Sequence, residues 1–139
     1  MIIVFDNNVV LDALLERKPF CGEAERLFTI CVSEHTGCLT TNSLTDVFYV
    51  LAKFIGRAKA KQAVRKLIEL FVIIPVSEED CVNALELPID DFEDALLASC
   101  AAVTGAEYII SRDVEFARAA SPVRVITPSE FLSNIGNIE

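Results

Sequence analysis

The side chains in this sequence that could do chemistry together are carboxylates. Four of the five residues from 90 to 94 are acidic, within the segment PIDDFEDALLASCAA (88–102), and the residues that follow are small or apolar. Carboxylates in the first turn of a helix accept hydrogen bonds from its free N–H groups and offset its partial positive charge. That role accounts for acids at a helix start. A catalytic or metal-binding role depends on whether other acids lie nearby in the fold.

The predicted secondary structure decides which acids can meet. Short apolar segments rich in β-branched residues predict buried strands at 2–5, 38–41, 71–76, 108–111 and 123–126. Apolar residues three and four apart predict helices at roughly 8–15, 21–33, 43–55, 58–70, 78–86 and 91–104, and Thr127, Pro128 and Glu130 form a start signal for a last helix. Alternating strands and helices indicate parallel βαβ units. We therefore predict an α/β protein, a three-layer α/β/α sandwich with a parallel, roughly five-stranded sheet, in a single domain covering 1–139.

Four acids fall at one edge of this predicted sheet. Asp6 directly follows the first strand, and Asp113 comes two residues after the fourth. Asp94 lies in the first turn of the helix that leads to the fourth strand, and Asp46 lies in the first turn or so of the helix after the second strand. Crossover helices of a parallel sheet begin at its carboxyl edge, where α/β proteins usually place their sites. We therefore expect these four carboxylates to converge.

A cluster of carboxylates favours a particular chemistry. Unneutralised carboxylates in a cleft repel one another, and a bound cation removes that conflict. Carboxylate ligands without histidine or thiolate suit Mg²⁺ or Mn²⁺ and disfavour zinc or copper. One or two such ions lower the pKa of a bound water and clamp a phosphodiester for in-line displacement. The single histidine, His35, lies in a polar stretch where a surface or turn role is expected, so Ser-His-Asp and Cys-His sites are poorly supported.

The charge distribution offers one basic segment. The formal net charge of −9 argues against nucleic-acid binding by bulk electrostatics. Lys53, Arg57, Lys61 and Arg65 recur every four positions, which keeps them broadly on one helical side, although Gly56 is expected to interrupt the helix. This spacing has two interpretations, a solvated helix face or a surface that contacts phosphates.

The cysteines and the apolar segments bear on location. The five cysteines are scattered and include no C-x-x-C pair, so neither a disulfide framework nor a zinc site is indicated. No apolar run approaches the length of a membrane span, and MIIVF reaches an acid at Asp6 too soon for a signal-peptide core. We expect a cytoplasmic protein that does not associate with a membrane.

Four segments carry a family resemblance: IIVFDNNVVLDALLER at the start, LTDVFYVLAK, DALLASCA, and IISRDVEF near the end. They cover nearly the whole chain, and together they resemble the PIN-domain family. That family consists of metal-dependent ribonucleases and includes the VapC-type toxins of bacterial and archaeal toxin–antitoxin pairs. The resemblance implies a PIN-like fold and a Mg²⁺- or Mn²⁺-dependent endoribonuclease that leaves a 3′ hydroxyl.

The resemblance also assigns site residues one by one. Asp6 matches the family's first acid, and Asn8 matches its usual polar neighbour. Asp94 matches the acid of the D-A-[apolar] helix start. Asp113 matches the acid of the T-x-D-x-x-F motif, here SRDVEF, in which Ser111 supplies the hydroxyl. We therefore expect Asp6, Asp94 and Asp113 to bind the principal metal ion.

Other positions depart from the family pattern or add to it. Asp46 stands where the family commonly has glutamate, and we expect it to help hold the metal ion or to orient water. Asn7 stands where threonine or serine is frequent. Asp12 lies nearly two turns into the first predicted helix, so it points away from the strand end and a capping or salt-bridge role is expected.

The acids around position 91 have two expected roles. Asp91 lies three residues before Asp94 and could share a face with it, so we predict it as an auxiliary metal ligand. Asp90 and Glu93 are interpreted as helix-start charges.

Two alternatives keep parts of this interpretation. A degenerate PIN domain could bind RNA or protein without catalysis. Aspartate phosphoryl transfer is a further class, because an acid after the first strand also opens haloacid-dehalogenase phosphatases and receiver domains. The former expect an aspartate where this chain has Asn8, and the latter expect an acidic pair and a late lysine. For the favoured interpretation, the resemblance implies an RNA substrate, a cognate antitoxin and a homodimer. The basic residues Lys53, Arg57, Lys61 and Arg65 are then expected, from their charge and spacing, to contact RNA phosphates.

Overall fold

The computed structural model of the chain describes residues 1–135, which form five strands and eight helices. The strands are β1 (Ile2–Phe5), β2 (Thr36–Thr40), β3 (Val72–Ile74), β4 (Tyr108–Ile110) and β5 (Arg124–Ile126). The helices are α1 (Asn7–Leu14), α2 (Cys21–Glu34), α3 (Thr41–Ile55), α4 (Arg57–Leu70), α5 (Glu78–Glu86), α6 (Phe92–Thr104), α7 (Val114–Arg118) and α8 (Pro128–Ile135). None of the helices within these residues is long and apolar enough to cross a membrane.

The five strands form one parallel sheet in the order β3-β2-β1-β4-β5. The chain adds strands on one side of β1 and then returns to add β4 and β5 on its other side. The order therefore reverses between β1 and β4, where Phe5 pairs with Ile110. In open α/β sheets, the crevice outside the carboxyl ends of the strands at such a reversal is the usual binding site.

Two hydrophobic cores cover the two faces of the sheet. Alternate residues of a strand point to opposite faces, so Ile3 and Phe5 pack with α1–α4 and α8, whereas Val4 packs with α5–α7. Phe5, Phe28 and Phe71 meet edge to face in the first core, with ring centroids 5.1–5.5 Å apart. The predicted α/β/α sandwich with a five-stranded parallel sheet is confirmed.

The element boundaries differ from the predicted ones in several places. β2 begins at Thr36 and ends at Thr40, so α3 begins two residues earlier than predicted, because the Thr40 hydroxyl accepts a hydrogen bond from the Ser43 N–H at 3.1 Å. β3 covers three residues rather than six, since Phe71 caps the end of α4 and Pro75 has no N–H to donate to a ladder. The short helix α7 was not predicted. The predicted capping box of α8 is present: Thr127 Oγ1 accepts from Glu130 N–H at 3.1 Å.

Candidate active site

Asp6 lies where β1 ends and α1 begins. Its N–H donates to the Ile110 carbonyl at 2.9 Å, which continues the β1–β4 ladder one residue beyond the strand. Its Oδ1 accepts from the Asn7 N–H at 2.8 Å and caps α1, while its Oδ2 accepts from the Ser111 hydroxyl at 2.8 Å. The carboxylate is therefore held by contacts from both strands that meet at the reversal of the sheet.

Ser111 is the centre of a small hydrogen-bond network beside Asp6. It is fully buried, and its hydroxyl oxygen accepts from Asn8 Nδ2 at 3.3 Å and from the Asp113 N–H at 3.1 Å. Asp113 in turn caps α7, since its Oδ1 accepts from the Glu115 N–H at 3.0 Å. One hydroxyl thus ties the acid after β1 to the acid after β4.

The opposite side of the site is a cleft between α1, α3 and α6. The residues that line this cleft are Asp6, Asn7, Thr40, Asn42, Ser43, Asp46, Glu93, Asp94, Leu96 and Leu97. Asn7 Nδ2 donates to Asp46 Oδ2 at 3.2 Å. The buried Asn7 Oδ1 has no hydrogen-bond partner among residues 1–135. The cleft therefore holds four carboxylates and one buried oxygen acceptor that the protein itself leaves unpaired.

Burial and mutual repulsion raise the pKa of three of these carboxyls. The pKa of Asp94 is raised to about 7, first by loss of solvation and then by the charges of neighbouring carboxylates. Burial also raises the pKa of Asp6, although the hydrogen bond from Ser111 opposes that rise. The pKa of Glu93 is raised by desolvation and by its neighbour Asp46. At neutral pH Asp94 therefore retains a proton in part of the molecules, whereas it would be ionised in water.

The donor set of the cleft fits a hard divalent cation. Within residues 1–135, no three carboxylate, imidazole or thiol side chains already stand in a metal-binding arrangement. The polar side chains that line the cleft are carboxylates, amides and hydroxyls, whose ligand atoms are oxygens, and this suits Mg²⁺ and Mn²⁺. A cation would remove the repulsion that raises the pKa of Asp94, and the unpaired Asn7 Oδ1 is a further oxygen that could face it.

The structure brings together most of the predicted site acids. Asp6, Asp46 and Asp94 line one cleft, and the charge of Asp113 raises the pKa of both Asp6 and Asp94, so it lies close to them. Asp46 is the sixth residue of α3, in its second turn rather than its first, because α3 begins at Thr41. It still reaches the cleft, where Asn7 holds it.

Asp91 has a different contact from the one predicted. Its Oδ1 accepts from the Asp94 N–H at 3.0 Å, so it is the N-cap of α6, and its charge contributes to the raised pKa of Asp94. Its role as an auxiliary metal ligand stays a prediction. Glu93, interpreted from sequence only as a helix-start charge, also lines the cleft beside Asp46. Asn7, which the sequence interpretation noted only as a departure from the family pattern, also lines the cleft.

Asp12 forms the salt bridge expected for it. Its carboxylate, 1% exposed, receives Arg112 Nε at 2.6 Å and Arg112 Nη2 at 3.1 Å, and Arg17 Nη1 lies 3.7 Å away. The Arg112 guanidinium also lies over the Phe20 ring, 4.2 Å from its centroid. The Arg112 N–H faces Asn8 Oδ1 at 3.4 Å, so this ion pair lies next to the site network.

The basic residues do not share one continuous helix face. Gly56, with φ 85° and ψ 161°, ends α3 and precedes α4. The glycine therefore interrupts the helix, as expected from the sequence. Lys53 therefore belongs to α3, where its Nζ lies 4.3 Å from the Tyr49 ring centroid, and only Arg57, Lys61 and Arg65 share a face of α4. All four are exposed. The contact of these four residues with phosphates stays a prediction.

Comparisons with known proteins identify the family. The PIN-domain family model matches residues 2–115. Ribonuclease VapC1 of Aquifex aeolicus (strain VF5) is 29% identical over 135 residues, which cover 93% of this chain and 92% of that protein. Among solved structures, VapBC2 from Rickettsia felis bound to a DNA fragment of its promoter is similar with a TM-score of 0.74 and 16% identity, covering 91% of this chain and 98% of that chain.

A second solved structure agrees with the first. The sarcin–ricin loop cleaving toxin VapC20 from Mycobacterium tuberculosis has a TM-score of 0.72 and 16% identity, covering 86% of this chain and 95% of that chain. These structural likenesses establish the fold, and the family model spans well over half of the sequence. The chain therefore belongs to the PIN-domain family.

Proposed function

We propose that this chain is a Mg²⁺- or Mn²⁺-dependent endoribonuclease that hydrolyses RNA phosphodiester bonds, and that it is the toxin of a toxin–antitoxin pair. The observation that carries the proposal is the meeting of Asp6, Asp46 and Asp94 in one cleft, close enough to Asp113 for mutual repulsion to raise pKa values. The ribonuclease among its relatives supports the same reaction class.

Each acid has a distinct part in this proposal. Asp6, Asp94 and Asp113 hold the cation, and Asp46 helps to hold it or orients the attacking water. Asn8 and Ser111 fix Asp6 and Asp113 through the hydrogen bonds of the buried hydroxyl. When bound, the cation would supply a water of lowered pKa and positive charge for the phosphate oxygens.

Protonation of the free cleft sets a condition for activity. With a pKa of about 7, Asp94 is roughly half protonated at neutral pH, and it must lose this proton to become a ligand. Glu93 lines the cleft beside Asp46 and supplies a carboxylate on a side chain one methylene longer. We infer that Glu93 complements Asp46 in place of the glutamate more common in the family.

The partners follow from the same proposal. The substrate is RNA, and the exposed Lys53, Arg57, Lys61 and Arg65 contact its phosphates. A cognate antitoxin binds the chain in the cytoplasm, and the chain forms a homodimer. The similar Rickettsia felis structure is a VapBC assembly, which supports the antitoxin partner.

The direct test is cleavage of a pool of structured and unstructured RNAs with Mg²⁺, with Mn²⁺ and with EDTA. The native chain and an Asp94→Asn variant are compared, and Asp90→Asn serves as a matched control because it removes the same charge four residues earlier. We expect cleavage with metal ions by the native chain and by Asp90→Asn. The Asp94→Asn variant should lose at least about 100-fold in rate, as expected when a directly acting electrostatic group is removed.

The outcomes separate the proposal from a binding module. If the native chain does not cut RNA but Mn²⁺ raises its melting temperature and not that of Asp94→Asn, the cleft binds metal and the missing element is the correct RNA. If Mn²⁺ changes neither cleavage nor melting temperature, the nuclease proposal is wrong and a degenerate binding domain becomes the better interpretation.

A further inference from the structure

Asp12 is a buried carboxylate that the nuclease proposal does not use. Only 1% of its surface is exposed, and an unpaired charge at such a depth would strongly destabilise the fold. Arg112 compensates it with two parallel hydrogen bonds, the arrangement in which guanidinium and carboxylate match best. Arg17 is a weaker second partner at 3.7 Å. The pair is therefore geometrically specific rather than a loose surface contact.

Arg112 stands between two residues of the proposed site. It follows Ser111, whose hydroxyl binds Asp6, and precedes Asp113. Three contacts hold it: the bidentate pair with Asp12, the stacking on Phe20 at 4.2 Å, and its N–H toward Asn8 Oδ1 at 3.4 Å. The turn from β4 to α7 is thus anchored from α1 immediately before the acid that it carries.

We propose that the Asp12–Arg112 pair is a positioning device that fixes the β4–α7 turn and so sets where the Asp113 carboxylate stands relative to Asp6. Neither residue lines the acidic cleft, so they act through the turn and not on the substrate. The inference rests on the proposed nuclease function, because it assigns the pair a purpose in that site. The fixing of the turn is a structural effect, and it can be measured without an activity assay.

The variants separate positioning from simple charge burial. Arg112→Lys keeps the positive charge but loses the bidentate fork and the stacking on Phe20. Arg17→Lys is the matched control, because Arg17 shares the partner Asp12 but lies outside the β4–α7 turn. Asp12→Asn is a second variant with nearly unchanged shape, and it tests the pair from the α1 side. Urea unfolding of each variant checks that the fold is retained.

Two quantities are measured on the full chain: amide hydrogen exchange of the turn and Mn²⁺ affinity by calorimetry. In Arg112→Lys and Asp12→Asn, the amides of Asp113, Glu115 and Phe116 should exchange about 10-fold faster or more, since local opening of the turn becomes easier. Mn²⁺ affinity should fall by about 10-fold or more, as for other supports of metal ligands. Arg17→Lys should stay within about 2-fold of the native chain in both quantities.

Each result decides the proposal. The proposal is supported if the amides of the turn exchange faster and Mn²⁺ binds more weakly in Arg112→Lys but not in Arg17→Lys. Equal effects of Arg17→Lys and Arg112→Lys, or a lower urea midpoint with unchanged turn exchange, overturn it, because the pair then only buries a charge. If the native chain binds no Mn²⁺, the nuclease proposal fails, while the exchange rates still decide whether Arg112 fixes the turn.

Discussion

The two sides of the acidic site are built differently. On the fixed side, formed by Asp6, Ser111 and Asp113, the carboxylates accept hydrogen bonds from backbone N–H groups and from the buried Ser111 hydroxyl. On the charged side, formed by Asp46, Glu93 and Asp94, Asn7 donates a side-chain hydrogen bond to Asp46, and desolvation together with neighbouring carboxylates raises the pKa values of Glu93 and Asp94. The pKa of Asp6 is also raised by burial, but the hydrogen bond from Ser111 opposes that rise.

The difference shows that the fold separates the positioning of carboxylates from the binding of positive charge. Hydrogen bonds on the fixed side are complete when the strands pair, so these carboxylates have defined positions before any ligand binds. Carboxylates on the charged side repel one another, so bound protons or a cation are needed to neutralise the repulsion. One side sets geometry, and the other supplies a site for positive charge.

Among the residues that support the acids, the largest expected effect comes from breaking the fixed side. Ser111→Ala removes the hydroxyl that links Asp6 to the Asp113 N–H and leaves that part-buried N–H without its partner. We expect Mn²⁺ affinity and kcat to fall by about 10- to 100-fold, typical of losing a group that orients metal ligands. Ser111→Thr restores the hydroxyl and should recover most of the loss in the same calorimetric and cleavage assays. Equal defects in both variants would assign the effect to packing instead.

A second prediction sharpens the comparison through pH. A carboxyl whose native pKa is raised from 3.8 to about 7 stabilises the protein below pH 4, and that stabilisation is lost as the pH rises through 7. The metal-free melting temperature should therefore fall from about pH 5.5 to 8, and Asp94→Asn should melt roughly 2–5 °C higher than the native chain at about pH 8. Calorimetric scans in EDTA measure this. A native chain that melts above Asp94→Asn at pH 8 would contradict the repulsion.

A variant of Glu93 tests whether activity depends on a carboxylate of the charged side that does not match an acid of the PIN-domain family. Glu93→Gln removes one of the crowded carboxylates beside Asp46, so metal-free stability at pH 8 should rise while kcat falls by about 3- to 10-fold. Glu86→Gln, an exposed glutamate at the end of α5, removes the same charge away from the cleft and should change neither quantity. Unchanged kcat in Glu93→Gln would limit Glu93 to a helix-start charge.

The smallest effect is expected outside both sides, on α4. Replacing Arg57 and Lys61 together by Ala removes two exposed charges from one face, so KM should rise about 2- to 5-fold and the salt dependence of RNA binding should weaken by roughly 0.7 per lost phosphate contact. The control replaces Lys59 and Lys66, which lie on another side of the same helix. Equal changes in both double variants would mean that net charge matters and not the face.

The fixed side could be predicted from sequence because its signals are local. Asp6 and Asp113 each follow a buried apolar run, and the carboxyl ends of parallel strands meet at one edge. The helix α7 was missed because five residues are too short for a periodic pattern. The signal that could have found it is Asp113 itself, which caps Glu115 and Phe116.

The charged side could be predicted only in part. Periodicity places Asp94 at a helix start, but it does not show which way neighbouring first-turn side chains face, so Glu93 was not included in the cleft. The same limit applies to Asn7, whose contact with Asp46 joins residues 39 apart in the chain. The earlier start of α3 depends on the Thr40 hydroxyl binding the Ser43 N–H, a pattern visible in TTNS but outside the apolar repeat.

The pairing of β1 with β4 has a consequence for the timing of synthesis. Asp6 reaches its final partners only when Ile110 and Ser111 are available, more than 100 residues later in the chain. Translation adds roughly 5–20 residues per second, so several seconds separate the first acid from its partner strand. During that interval a growing chain carries Asp6, Asp46 and Asp94 without a complete site. The strand order of the sheet therefore delays assembly of the site until β4 and the turn that follows it have been made.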